Sequence, residues 1–489
     1  MQQEEVIRLV DDLRRQKCEL QTVEIKEASK GCPTRLYDTL SGFSNQDGGG
    51  VLVFGVSEKK GFEVVGVYDP QDLQHKVAEQ CKQMEPAVRP LFTVADFEGK
   101  TVVTAEIPGV DVADRPVYYK GVGRVKGAYI RVGEADEPMS EYEIYSYDAY
   151  RRRVRDDIRI AEEADISQFD TSLLEKYLLA VRENRQNVQN LSDSELLDLM
   201  GITKGGKPTL TGVMCFSKYP QAAFPRLCIT AVVVPGLYVG QVSSDGERFL
   251  DNQRIEGTIA QMLEGAMSFT RRNMRVSTIV DDNGNRADRE EYPPKAIREA
   301  VLNALMHRDY SYHTEGTPVQ IYMYKDRMEI INTGGLYGTL TIDELGKVHA
   351  DTRNKTLATT LEFLKVAENR YSGIPTIREE MRQYRLPPPV FDVRRGNFKV
   401  VLSNTRQPDS EYLQPTGDIR TDILKLCREP RTREELVPLI GKTQYYAMQT
   451  YVYPMVNEGL LSLTIPDKPK SRNQRFLTTP RGLSELKNR

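Results

Sequence analysis

Residues 296–310 read AIREAVLNALMHRDY, and their spacing decides how the centre of the chain folds. Ile297, Val301, Ala304 and Leu305 recur at helical intervals, so the stretch predicts a helix over Lys295–His307 with an apolar side for a core. Pro293-Pro294 opens it, and proline suits a first helical turn because its missing N–H would be unbonded there anyway. Glu299 and Asn303 stand four apart. At about 100° per residue they share one face, with His307 flanking. A Glu and an Asn together on an inner helix face are costly unless they serve a function. Outward from the helix come strands VQIYMYK and RMEIINT, then two glycine-bearing turns, NTGGLYG at 332–338 and YSGIP at 371–375. Helices over 356–366 and 374–384 and a strand pair in PPPVFDVRRGNFKVVLSN complete this unit.

The whole chain sets the bounds. Its 489 residues suit about three domains. Hydrophobic residues make up 39% and charged residues 28%, as in a soluble globular protein. No stretch approaches the roughly 20 apolar residues of a membrane span. The opening MQQEEVIRLVDDLRRQ is charged and amphipathic, without the apolar core of a secretory signal. The expected location is the cytoplasm. Six scattered cysteines form no CxxC pair, which argues against a zinc ribbon or a disulfide framework. Four histidines without an HExxH argue against a histidine-built zinc hydrolase. Charge is uneven: residues 417–489 carry 13 Lys/Arg against 8 Asp/Glu, a net of +5, which leaves −8 on the preceding 416 of a chain whose net is −3. A basic terminal domain on an acidic body suits a polyanion partner.

Residues 293–404 resemble the divergent GHKL-type ATPase module often labelled the C-terminal part of a RecG-like helicase. AIREAVLNALMHRDY, RMEIINTGGL and RYSGIPTIREEMRQYRLPPPVF carry the resemblance. It implies an α/β sandwich that binds ATP with Mg²⁺. Asn303 would hold the metal and Glu299 would position water. Asn332, where the family usually has an adenine-binding Asp, and Gly334, Gly335 and Gly373 would form the cofactor site. No helicase motor motif exists. A near P-loop at Gly201–Pro208 has Pro208 where Mg²⁺ needs Ser or Thr, and reads as a turn.

The first 145 residues alternate strand-like runs (ELQTVEIKE, VLVFGV, EVVGVY, LFTVADF, TVVTAEI, AYIRVG) with helical patterns at 34–44 and 73–84, an α+β domain. Glu24 and Lys26 point to the same face of their strand. The run Gly48–Gly50 between helix and strand supplies a tight turn. TVEIKE, LSGFSNQDGGGVLVFGV and AYIRVG resemble the Schlafen AlbA-like domain, a nucleic-acid-binding unit. By that resemblance, Glu19, Glu24, Lys26 and Glu58 could form a nuclease site, with a divalent metal at Glu19 and Glu24. The alternative is an ion pair of Glu24 with Lys26. The four arginines Arg151, Arg152, Arg153 and Arg155 follow as a phosphate-binding surface or a charged helix face.

Residues 146–292 read as a connector with helices at 172–184, 192–200 and 254–271, a buried strand at 228–234 and a polar Asn-Gly turn in 281–291. After a polar linker at 405–417, three helices (418–427, 432–440, 443–459) and a two-stranded wing form a winged helix-turn-helix pattern. Leu436, Leu439, Met448, Val452, Met455 and Leu460 can form its core. Lys442, Gln444 and Tyr445 begin the helix that would enter a major groove, and Lys468, Lys470, Arg472 and Arg475 stud the wing. The order of the three units resembles bacterial predicted transcriptional regulators with an HTH domain. The expected protein is a multidomain α+β DNA-binding regulator responsive to a nucleotide. The alternative is a Schlafen-type metal-dependent nuclease acting on RNA or single-stranded DNA. A homo-oligomer fits paired half-sites.

Overall fold

The computed structural model describes residues 1–280, 286–349, 351–367, 372–394, 396–405, 418–428, 430–440, 444–465 and 474–487. By packing, the chain divides into two compact units, Met1–Thr405 and Arg406–Arg489.

The first unit opens with a four-stranded sheet in the order Val23–Lys26, Gly50–Phe54, Lys100–Ile107, Leu91–Phe97. The first pair is parallel and the other two are antiparallel. GVLVF is apolar along its length because both of its faces are covered. Leu52 and Phe54 join Val103 and Ile107 in the cluster shared with helices Tyr37–Ser44 and Pro70–Lys82. Val53, with Val23, Ile25 and Val102, meets Val6, Val10 and Leu13 of helix Gln3–Gln16. Those three buried side chains contribute roughly 1.5–3 kcal/mol each. The exposed Arg8–Glu4 pair of the same helix is worth well under about 1 kcal/mol, so packing fixes the helix.

The glycine run does make a tight turn: Gly49 has φ +70°, and a Cβ there would lie 2.0 Å from the Ile107 carbonyl oxygen. The run EVVGVY is less of a strand than its composition suggests. Only Glu63–Val64 pairs, because Gly66 turns the chain at φ +79°. A hairpin, Tyr129–Val132 with Ala135–Pro138, follows, then helix Glu141–Arg151, capped by Ser140 with Glu143.

A six-stranded sheet dominates the rest, in the order Asp251–Ile255, Ile229–Val233, Val319–Met323, Arg327–Thr333, Asn397–Ser403, Val390–Arg394. Residues 146–292 are more than a connector. Ile229–Val233 pairs in parallel with Val319–Met323, and one continuous core runs from Ala161 to Leu402. Two of the six strands and the helix Ile259–Asn273 come from this segment, so the boundary expected at 292 does not divide the packing. The helix expected over 254–271 is also corrected. Arg254 and Ile255 end a strand, Gly257 turns at φ +111°, and Thr258 with Gln261 caps a helix that starts at Ile259. Of the polar turn at 281–291, residues 281–285 lie outside the described ones; Val276–Val280 and Arg286–Glu290 pair antiparallel. The near P-loop is a turn between Thr203–Lys204 and Lys207–Pro208.

The second unit has helices Ile419–Leu426 and Arg433–Ile440, then a helical run from Gln444 to Asn457. A widened turn at Met448–Val452 precedes Pro454, whose ring cannot donate to the turn before it. Leu461–Leu463 and Arg475–Thr478 pair antiparallel, and Arg431–Thr432 adds to the far side of the latter. Leu436, Met448, Val452, Met455 and Leu460 are buried as expected, joined by Ile423, Leu424 and Phe476, while Leu439 is half-buried. No helix among the described residues is long and apolar enough to cross a membrane.

Candidate functional site

The helix Pro294–His307 puts Ile297, Val301 and Leu305 into the core. Its other side presents Glu299, Asn303 and His307, one turn apart, to a cavity of about 400 Å³. Asn332, at the end of strand Arg327–Thr333, lines the same cavity, as do Gly334 and Gly335 just beyond it. Gly373 does so from the first turn of helix Gly373–Gln383. Three separated stretches thus converge. A Cβ on Gly373 would stand 2.9 Å from Asn303 Nδ2 and 3.3 Å from Glu299 Oε2, so glycine is what lets backbone approach both groups. Asn332 is buried and donates from Nδ2 to the Thr333 carbonyl at 3.3 Å.

The wall also holds residues that local sequence patterns do not single out. Arg353 meets Asp309 Oδ2 at 3.1 Å through Nη1 and donates to the Gly335 carbonyl at 3.0 Å through Nη2. Gly334, at φ +100°, passes so close that a Cβ would lie 2.9 Å from Arg353 Nη1. His307 Nδ1 lies 3.2 Å from Thr352 Oγ1. The ring is exposed to the cavity; desolvation by the protein around it, then the charge of Arg353, pulls its imidazole down to about 4. His307 is neutral at pH 7. Asn354 stands just before the neighbouring helix Lys355–Phe363 and ties it to the end of the pocket helix, donating to the carbonyls of Met306 at 2.9 Å and Arg308 at 2.8 Å. Asp157, fully buried, accepts the Thr356 N–H at 2.7 Å and pairs with Arg155, so that arginine has a structural role.

At the N-terminal end, Glu24 and Lys26 do share a face, with Glu24 Oε1 2.5 Å from Lys26 Nζ. The other oxygen of Glu24 accepts from Arg131 Nη2 at 2.7 Å. Arg131, buried, also pairs with Asp136 Oδ1 at 3.1 Å and lies 4.0 Å from Glu19 Oε2. Glu19 Oε1 accepts the Ile25 N–H at 2.8 Å. Burial, with the charges of Glu24 and Glu58 nearby, pushes Glu19 up to about 7 against that hydrogen bond. For Glu24, burial is outweighed by Lys26 and Arg131, which hold its carboxyl below the usual range. Glu58 is exposed at the start of a short turn. The carboxylates that the divalent-metal reading would use, Glu19 and Glu24, are here engaged with protein groups. An arginine occupies the point on which the carboxylates converge, and both Glu24 oxygens are engaged. Among the described residues, no group of three or more His, Cys, Asp or Glu side chains is disposed to hold a metal ion.

In the second unit, Lys442, Lys468, Lys470 and Arg472 lie outside the described residues, and of Gln444 and Tyr445 only the helical backbone is described. Arg475 is exposed on its strand.

Comparison with known proteins bears on two segments. Residues 19–140 match the Schlafen AlbA_2 family model. Residues 316–402 match the model described as "Putative ATP-dependent DNA helicase recG C-terminal". Together they tie the chain to nucleic-acid-related modules. A crystal structure of the DIP2311 protein from Corynebacterium diphtheriae is similar at 17% identity over 99% of each chain, with a TM-score of 0.41. The solution structure of the N-terminal domain of a RecG-related protein from Nitrosomonas europaea, titled a putative ATP-dependent DNA helicase, is 31% identical over 28% of this chain and 93% of that one, with a TM-score of 0.23. No curated protein matches the chain.

The AlbA_2 segment contains the Phe-Ser-Asn motif in full. Asn45 is buried and staples the domain, donating to the Val117 and Tyr129 carbonyls at 2.9 and 3.0 Å and accepting the Val117 N–H at 2.7 Å. The RecG-type match begins at 316, so it includes Asn332, Gly334, Gly335 and Gly373 but not Glu299 and Asn303. Those two join the site through the structure. Arg353 gave no local signal, because its partner Asp309 is remote in sequence and only the fold brings them together.

Proposed function

We propose that the chain is a DNA-binding regulator whose central pocket takes an adenine nucleotide. One observation carries the nucleotide half: Glu299, Asn303, Asn332, Gly334, Gly335 and Gly373, from three separate stretches, line one cavity. Its volume, about 400 Å³, lies in the range of small-molecule sites. The residues fit ATP with Mg²⁺, an ion that binds through few protein groups together with substrate phosphates. Asn303 would hold the ion, with Glu299 beside it, and the bound ion would offset phosphate charge. Neutral His307 and the amide of Asn332 offer hydrogen bonds to a base or ribose without adding charge.

The DNA half rests on the second unit. Its helices, followed by an antiparallel strand pair with a third short strand alongside, suit a winged helix-turn-helix. In that reading, Lys442, Gln444 and Tyr445 meet the groove, and Lys468, Lys470, Arg472 and Arg475 meet phosphates. The AlbA_2 segment is a second nucleic-acid contact, to DNA or RNA. A homodimer would read paired half-sites, and the cytoplasm is the expected place of action.

The test is duplex-DNA affinity of the full chain across salt, with and without ATP. The proposal expects steep salt dependence, flattened when the four wing cations are changed to Ala, and affinity that changes with ATP. Affinity unaltered by the quadruple change would sink the wing assignment. Affinity indifferent to saturating ATP would sink the regulatory one.

A further inference from the structure

The helix Glu141–Arg151 follows the AlbA_2 segment directly and touches both that segment and the pocket. On one side Ile144 packs with Ala128 and Met139, Asp148 pairs with Arg124 at 2.7 Å, and Arg151 donates to the Arg115 carbonyl at 2.6 Å. On the other, the Tyr142 hydroxyl donates to Asp309 Oδ2 at 2.8 Å. That same oxygen holds Arg353, and Arg353 holds the Gly335 carbonyl. Arg353 and Gly335 are walls of the cavity; Tyr142 and Asp309 are not. Asp309 is itself fixed, since Oδ1 accepts the Ser311 N–H at 2.8 Å. At the far end of the helix, Tyr150 meets the pocket-wall Tyr337 edge-on, ring centres 5.3 Å apart. The close fit depends on Gly396, where a Cβ would stand 2.5 Å from the Tyr142 ring. Gly396 in turn accepts the Gly334 N–H at 2.7 Å.

We propose that this helix carries the state of the pocket to the AlbA_2 segment, through the chain Gly335–Arg353–Asp309–Tyr142. The inference rests on the pocket taking a nucleotide. Tyr142 steadies Asp309, Asp309 steadies Arg353, and Arg353 steadies the glycine turn against which the ligand lies. A rim held in place before binding costs the ligand less ordering. Linkage is reciprocal: if the helix supports binding, then binding supports the position of the helix. The AlbA_2 segment, packed on the opposite side of that helix, receives the change. The signal is nucleotide occupancy, and the responding partner is the nucleic acid held by that segment.

The test uses the full chain and Tyr142→Phe, which keeps the packed ring and removes only the hydroxyl. ATP affinity is measured by titration calorimetry, and amide exchange of residues 141–151 is followed with and without ATP. The expected results are binding weaker by about tenfold in Tyr142→Phe, within the range usual for coupled sites, and slower exchange of 141–151 when ATP binds the unaltered chain. Tyr150→Phe, which keeps the edge contact with Tyr337, should bind ATP as the unaltered chain does. Equal affinity in the unaltered chain and Tyr142→Phe would overturn the coupling, as would exchange in 141–151 that ignores ATP; the exchange readout stands even if the variant fails to fold. Absence of heat from the unaltered chain would instead overturn the nucleotide reading, and this inference with it.

Discussion

Arg131 shows what one side chain does to three carboxylates. It pairs with Glu24 and Asp136, lies near Glu19, and has almost no exposure. Removing one partner of a buried pair typically costs about 3–5 kcal/mol, because the other charge is left uncompensated. Arg131→Met should lower unfolding stability by that order, measured in urea; a loss below about 1 kcal/mol would mean that Lys26 and water suffice for Glu24. Glu19 makes a prediction of opposite chemistry. Its folded value, about 7, exceeds the ordinary 4.5, so the folded state binds the proton more tightly. That contribution is full below pH 4.5 and is lost as pH rises to 7. Glu19→Gln should remove this downward slope, read from urea midpoints across pH 4–8; an unchanged slope would place the titration elsewhere. His307 runs the other way, since its folded value near 4 lies below 6.5 and its share of stability is lost as pH falls from 6.5 to 4. The pairing of Glu24 with Lys26 was legible from the two-residue period of a strand. The pairing of Arg131 was not: Arg131 stands in the AYIRVG run, but it lies 107 residues from Glu24 and only the fold brings the two together.

Among elements, the pocket helix was the clearest in sequence. Its apolar spacing, its prolines and its polar row all agree, and the structure starts it at Pro294. The segment 251–273 was harder. Apolar periodicity reaches back to Ile255, yet backbone conformation at Gly257 and the cap at Thr258 decide where the helix begins. Such positions are read from backbone geometry, which composition does not reveal. The glycine run of the AlbA_2 segment makes an element-scale test. Gly49→Ala would force a Cβ toward the Ile107 carbonyl at positive φ, and should cost about 2 kcal/mol or more by chemical unfolding. A cost under about 0.5 kcal/mol would show that the turn relaxes freely.

At the scale of the molecule, the sequence marked its modules but not how they share a core. The segment 146–292 looked like a connector because its strands carry no motif; only pairing of Ile229–Val233 with Val319–Met323 shows that it completes the sheet. A fragment of residues 293–404 should therefore fail to fold alone, while residues 1–405 should unfold cooperatively, by circular dichroism. A cooperative transition in the short fragment would restore the boundary at 292. The central claim is that the cavity beside Glu299 and Asn303 binds an adenine nucleotide. Calorimetric titration of ATP with Mg²⁺ into the full chain and into Asn303→Ala tests it most directly. One saturable site in the full chain, lost in a folded Asn303→Ala, is the predicted result. No binding, or binding that survives that substitution unchanged, would contradict it.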